Sequence, residues 1–287
     1  MYTAINKYKD YIDLIRPYNA TTIVLAFCIG YFFKNNSIDT ATLILGIAVI
    51  ILTHSIATIQ NDINDIEIDK VNSPEKALAS GKISINKAKK FSNILLLFVL
   101  AISFWGNIIH IIFISIILLI SWLYNSSPFF ISRKTYSPLI ILALMYSVIP
   151  MLYGYILKNG MINSNIIYIT IAWFFLRISI SILKDFKDEK GDSMFNKNTF
   201  YLTHGKKITI FVSLFFSIIS YLYIFYLLRF IKPIWVILIM IILFVRGIYL
   251  KYKLFKLNDI KLINAFHQIF FGQNQFDLIL LIWLLIH

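Results

Sequence analysis

One cysteine stands in 287 residues. Cys28 lies inside an apolar run, so the chain can neither close a disulfide on itself nor build a thiolate metal site. Acidic residues are also sparse, 14 in all, and charged residues make up 14% of the chain against about 25% in soluble domains. With 59% hydrophobic residues and a mean hydropathy of +0.76, composition excludes an ordinary soluble domain and indicates a multi-span membrane protein. The 6 prolines and 10 glycines gather into no linker, so residues 1–287 read as a single helical domain. The N-terminus is polar and amphipathic, and the first apolar run lacks the small-residue cleavage site of a signal peptide. The net charge of +13 brings in no nucleic acid, because the basic residues sit in short loops between apolar runs without a recognition motif.

What the chain has in abundance is apolar sequence of spanning length. Ile5, Tyr8, Ile12 and Ile15 recur at helical spacing and suggest an interfacial helix over residues 1–16. Arg16-Pro17 then opens a span to Phe33. Further stretches cover about 40–60, 89–106, 108–123, 138–157, 165–183, 208–228, 233–250 and 265–286. The expected fold is all-α, with about nine transmembrane helices. The ninth is interrupted by Gln273-Asn274-Gln275 and Asp277. Taking the N-terminus as cytoplasmic places 21 Lys and Arg residues on that side and four, Lys34, Lys158, Arg229 and Lys232, on the other. Arg177 and Arg246 fall within spans.

The few carboxylates are not scattered. Asp62, Asp65 and Asp69 follow the second span; Asp185, Asp188 and Asp192 follow the sixth with the same spacing. On an unbroken helix, steps of three and seven put all three side chains within about 60° of arc. Such crowding repels, whereas a hard cation shared with substrate phosphate turns it into coordination. One cluster alone would read as a solvated acidic loop; two alike, in a chain this poor in acid, favour a metal site. Four spans separate them, which puts both on the cytoplasmic face and hints at two parallel halves. A diphosphate bridged by Mg²⁺ fits facing clusters. Lys76, Arg133, Lys134 and Lys184 would add cations, although each alone also fits a positive-inside surface charge. An apolar tail on the same substrate would lie between helices or toward lipid.

Isolated polar residues add candidates. Arg177, two turns before Asp185, is costly in a span and must face a cavity or pair with an acid. His54 serves as base or hydrogen-bond donor to an acceptor, or as a donor to a neighbouring helix. Asn19 and Tyr146 line an acceptor pocket or make packing hydrogen bonds. Arg246 snorkels, and His204 and His267 read as surface or packing residues.

The stretch NDINDIEIDKVNSPEKALASGKIS resembles the first motif region of the UbiA superfamily of intramembrane prenyltransferases, and KDFKDEKGD resembles its second Asp-rich motif, with Thr199 and Gly205 in its usual continuation. Tyr124-Asn125-Ser126-Ser127-Pro128 followed by Arg133-Lys134 is similar to a connection between the family's fourth and fifth helices. Ser147-x-x-Pro150-x-x-x-Gly154 is similar to a segment of its chlorophyll, homogentisate and geranylgeranylglyceryl-phosphate branches, and Arg16-Pro17-Tyr18-Asn19 to the start of its first helix.

The resemblance implies nine helices around a central cavity capped by cytoplasmic loops, in a cell membrane, and Mg²⁺-dependent transfer of an isoprenyl group from its diphosphate. It implies Asn61, Asp65, Asp69, Asp185, Asp188 and Asp192 as metal ligands, and Asp62, Asp65, Asp185 and Asp188 as catalytic, with Asp62 orienting a neighbour. Asn19, Lys76, Tyr124, Lys134, Lys184 and Arg177 then become substrate-binding candidates, and loops 70–88 and 193–206 lids. Departures stand out: Ser73 and Lys76 replace Arg residues of the loop, Ala77 replaces a usual Pro, Ser181 stands where the glyceryl-phosphate branch tends to carry Arg, and Asn196 replaces a frequent Gly. The leading function is prenyl transfer to an aromatic, quinone-precursor or other small acceptor. A cyclase releasing diphosphate without an acceptor and a cation-coupled transporter are the alternatives. Clusters at helix ends beside Lys-rich loops, rather than at the midplane, argue against the transporter.

Overall fold

Away from water a backbone must satisfy its polar groups within its own segment, so long apolar runs become helices. The computed structural model describes residues 4–33, 38–104, 106–227, 234–256 and 259–286, without the side chains of 4–7, 259–266, 283 and 286. Lys34, Arg229, Lys232 and the Ile5 side chain, all part of the expectations above, lie outside the described residues. The helices are α1 (Ala4–Leu14), α2 (Pro17–Phe32), α3 (Thr40–Asn64), α4 (Ile66–Asn72), α5 (Ile85–Phe104), α6 (Ile108–Asn125), α7 (Ser137–Asn159), α8 (Ser164–Ser181), α9 (Glu189–Met194), α10 (Phe200–Leu227), α11 (Ile234–Lys253) and α12 (Asp259–Ile286). No strand occurs among the described residues.

Long helices occupy all nine expected stretches. Six of them, α3, α6, α7, α8, α10 and α11, are long and apolar enough to cross a membrane; α2 reaches that length and apolarity together with the end of α1, from which it is bent by 46°. Helix α5 carries Lys87, Lys89 and Lys90 at its start, and α12 keeps the polar interruption seen in the sequence. Asp39, Asn107 and Asn163 cap the starts of α3, α6 and α8 by accepting backbone N–H bonds, and all three helices run toward the carboxylates.

Two kinds of contact draw the spans together. Glycines let α2 and α7 meet backbone to backbone: a Cβ on Gly30 would sit 1.9 Å from the Met151 carbonyl oxygen, and one on Gly154 2.2 Å from that of Phe27. Serines join α8 to α10, where Ser220 donates to the Ala172 carbonyl at 2.7 Å and Ser213 to that of Ser179. In α7 the residues Leu144–Val148 form a π turn. Pro150 has no N–H to return to the Tyr146 carbonyl four residues back, and the turn loosens there.

The carboxylates do not ride on one helix face, as an unbroken helix would require. In each cluster the chain breaks at the middle aspartate: Asp65 ends α3 and starts α4 at φ −101°, ψ 13°, and Asp188 starts α9 at φ −103°, ψ 5°. The first and third carboxylates thus stand on different segments, joined by the same backbone bend in both halves. Asn196 adopts φ 54°, so the turn after the second cluster takes the left-handed geometry that asparagine tolerates.

Candidate active site

The two bends face one another. Asn72, at the end of α4, donates from Nδ2 to the Asp188 carbonyl at 2.8 Å and accepts from Gly191 N–H at 2.6 Å. Gly191 is required for this approach, because a Cβ there would lie 2.6 Å from the Asn72 amide. Lys197 completes the junction, with Nζ 3.2 Å from Asp65 Oδ2 and 3.5 Å from Asp192 Oδ1. One cation therefore touches a carboxylate from each cluster. Burial works against charge on this ammonium, but Asp65 and Asp192 outweigh it and hold its pKa above the ordinary lysine value.

Beneath the junction lies a cavity of about 270 Å³. Asn19, Asn61, Asp65, Asp69, Lys76, Tyr124, Lys134, Arg177, Lys184, Asp185, Asp188 and Asp192, all expected at the site, line it. Asp62 does not. It is 4% exposed and binds Arg16, with Lys76 Nζ 3.5 Å away, so it positions two cations that do reach the cavity. Lys76 also meets both Asp69 oxygens at 2.8 Å, a point charge rather than the fork an arginine would offer. Lys184 lies 3.8 Å from Asp185 Oδ1 and donates to Tyr124 Oη at 3.5 Å. Asn61 uses its Nδ2 on Asp65 (3.2 Å) and Asn125 (2.8 Å), leaving its oxygen outside these bonds. Burial pushes the Asp69 and Asp192 carboxyls up, and Lys76 and Lys197 respectively pull them partly back.

Among the described residues no three acidic, histidine or cysteine side chains converge as a ready-made metal cage. The donors nonetheless suit Mg²⁺, which takes oxygen ligands, keeps water and is commonly held by one or two carboxylates plus substrate phosphates. Lys197 already occupies the position of a bridging cation between oxygen donors of both clusters.

The opposite end of the cavity is built differently. Arg177 is 2% exposed, and none of its three guanidinium nitrogens has a hydrogen-bond partner; Asp277 Oδ2 lies 3.9 Å from Nη2. Asp277 accepts from Trp173 Nε1 at 2.9 Å. His54 is 6% exposed with Nε2 unpartnered, its ring edge-on to Tyr146 at 5.6 Å. Arg177 lies in the last turns of α8, eight residues before Asp185, which stands in the 3-10 turn Lys184–Lys187 beyond the end of that helix. Leu142, Met145 and Ile180 line the wall as apolar residues. The cavity thus has a carboxylate-and-lysine mouth, an apolar wall and an arginine at depth.

Some expectations fail. Arg133 does not line the cavity but stacks on Phe130, 4.6 Å from the ring centroid. His204 packs, accepting or donating a 2.9 Å bond with Tyr136, but His267 lines the cavity. Arg16, Asn72 and Lys197 were not expected at the site. Each acts on a partner 46 to 132 residues away, so no local spacing announces it.

Comparison with known proteins agrees with this geometry. The model of the UbiA prenyltransferase family matches residues 23–274. The digeranylgeranylglyceryl phosphate synthase of Methanocaldococcus jannaschii is 34% identical over 71% of this chain and 70% of its own length; that of Sulfolobus acidocaldarius is 31% identical over 70% and 71%. A solved structure described as a digeranylgeranylglyceryl phosphate synthase in membranes superposes with a TM-score of 0.68 at 27% identity, covering 98% of this chain and 99% of that one. A UbiA homologue from Archaeoglobus fulgidus, solved with GPP and Mg²⁺, shares the fold at a TM-score of 0.70 and 17% identity over 95% and 99%. This chain belongs to the UbiA prenyltransferase family and is an integral membrane enzyme of prenyl transfer.

Proposed function

We propose that this chain moves a prenyl group from its diphosphate, held through Mg²⁺ at the mouth, onto an acceptor that carries an anionic head, of the glyceryl-phosphate type named for its relatives. The observation that carries the proposal is the bridge from Asp65 through Lys197 to Asp192, which puts both carboxylate sets within reach of one diphosphate. Asn61, Asp65, Asp69, Asp185, Asp188 and Asp192 would hold the metal, which neutralises the departing diphosphate. Lys76, Lys184 and Lys197, which rest against these carboxylates, would offer their ammonium groups to the phosphate oxygens. The C–O bond breaks with its electron pair leaving on the diphosphate, the acceptor oxygen attacks the allylic cation, and the acceptor proton passes to the released diphosphate. The apolar wall keeps out water, which would otherwise quench the cation.

Arg177 supports an anionic acceptor over a neutral one. A buried guanidinium whose three nitrogens make no hydrogen bond, with Asp277 3.9 Å away, has N–H donors to spare for a second oxyanion, and it supplies the positive charge that Ser181 lacks. Tyr146 and His54, edge-on to one another at 5.6 Å, line the same cavity for the acceptor hydroxyl. We further take residues 1–287 as one domain and assign the mouth to the cytoplasmic face of a cell membrane, on the 21-to-4 asymmetry of Lys and Arg. Segments 70–88 and 193–206, which carry Lys76 and Lys197, would cover the mouth.

Purified protein incubated with prenyl diphosphates of several lengths, with and without glyceryl-phosphate and quinone-precursor acceptors, and read by mass spectrometry, tests this reading. Prenylated glyceryl phosphate is the expected product. Diphosphate release with a cyclised hydrocarbon and no acceptor product would establish the cyclase instead.

A further inference from the structure

A second buried basic side chain lies outside the catalytic cavity. Lys251, in the last turn of α11, is 3% exposed; its Nζ donates to Ser179 Oγ at 2.9 Å and to Ser217 Oγ. Both hydroxyls turn their own protons elsewhere, Ser217 to Ser179 Oγ at 2.9 Å and Ser179 to the Leu176 carbonyl at 2.8 Å. Among the described residues no carboxylate comes within ion-pair distance of this amine, and neutral hydroxyls alone hold a buried positive charge poorly, so an anion beside it would favour the charged form.

Beside Lys251 is a cavity of about 20 Å³, enough for one oxygen-sized group. Gln273 lines it, 2% exposed, and neither its Nε2 nor its Oε1 makes a hydrogen bond of normal geometry, although the amide lies beside Asp277. Asp277 itself accepts from Trp173 and faces Arg177 on the catalytic side. Arg246 stands at the exposed rim, where Nη1 donates to Gln275 Oε1 at 2.9 Å. The mouth is open: a Cβ on Gly272 would meet nothing within 4 Å, and one on Gly247 only Tyr221 Oη at 4.0 Å. Ser179 lies in the last turn of α8, six residues before Asp185, and Lys251 in the last turn of α11, so the cleft lies near the polar end of the spans.

We propose that this cleft between α10, α11 and α12 binds a phosphate oxyanion, with one oxygen seated on Lys251 and the Gln273 amide N–H and the rest against Arg246. A phospholipid headgroup and inorganic phosphate share this chemistry. The inner space is too small for a whole phosphate, and the rim admits the remainder.

The test measures thermal unfolding of the full chain in nanodiscs of phosphatidylcholine alone and with phosphatidylglycerol, and in detergent with inorganic phosphate against chloride at equal ionic strength. Phosphatidylglycerol raises the wild-type midpoint, and native mass spectrometry finds its retention reduced about tenfold in Lys251→Met, the loss expected for one charge-assisted hydrogen bond. A response to inorganic phosphate that vanishes in the same variant supports the site and assigns it to the free anion. Gln273→Leu keeps the lysine and the volume, and gives a smaller loss where Lys251→Met does not fold. Equal responses in wild type and variants, or no wild-type response to either phosphate source, overturn the proposal.

Discussion

Replacing Asn72 by leucine tests whether the facing of the two carboxylate sets is a built feature. The change removes the bonds to the Asp188 carbonyl (2.8 Å) and from Gly191 N–H (2.6 Å) while keeping the branched side-chain shape. Each such bond contributes about 1 kcal/mol net, and a buried Gly191 N–H left unpaired costs roughly 1–3 kcal/mol more. The expected loss at the junction is therefore about 3–5 kcal/mol. Helices α4 and α9 have 7 and 6 residues, too short to hold position unaided. Released, they let Asp69 and Asp192 drift apart, and a displacement of about 1 Å at reacting groups costs on the order of 10²-fold in rate. Diphosphate release by purified Asn72→Leu should fall by that order and require more Mg²⁺ for half-saturation. Its thermal midpoint should move little, because the spans pack without Asn72. Turnover within twofold of wild type, at unchanged Mg²⁺ requirement, would refute the reasoning.

Lys197→Met leaves Asp65 and Asp192 without their shared counter-charge, so added Mg²⁺ should raise its thermal midpoint more than that of wild type; an equal or smaller rise argues against a cation position there. Arg177→Leu should raise KM for an anionic acceptor at least tenfold and change KM for the prenyl diphosphate less than about threefold, whereas equal effects on both would remove Arg177 from the acceptor end. Asp69 and Asp192 titrate above the ordinary aspartate range of about 3.9, and protonation removes the charge that holds a cation. The Mg²⁺ needed for half-maximal rate should therefore climb on acidification before free aspartate begins to protonate, and a constant requirement from about pH 8 to about pH 5 contradicts this. Gly154→Val drives a side chain into the Phe27 carbonyl and should cost roughly 1–3 kcal/mol or more of stability, seen as a lower melting midpoint; an unshifted one means α2 and α7 can separate freely.

The spans were legible because lipid leaves the backbone one local solution, and the carboxylate clusters because acid is so scarce here. The bends at Asp65 and Asp188 were not: the spacing suits a continuous helix, and only the meeting of α4 with α9 through Asn72 favours the break. Arg177 was visible as a costly charge, and Asp277 as an interruption of the last helix, but their pairing across 100 residues depends on how α8 and α12 pack. Arg133 misled for the complementary reason. Its motif position suited phosphate, yet the left-handed turn at Phe130 gives its guanidinium a ring to cover.

The most direct measurement is a crystal structure with Mn²⁺ in place of Mg²⁺ and an unreactive prenyl thiodiphosphate, read by anomalous scattering. The account predicts metal peaks between Asp65, Asp69, Asp188 and Asp192, bridged by the diphosphate, with Lys197 displaced onto phosphate oxygens. Metal bound to one cluster only, or a diphosphate lodged at Arg177 instead, would contradict it.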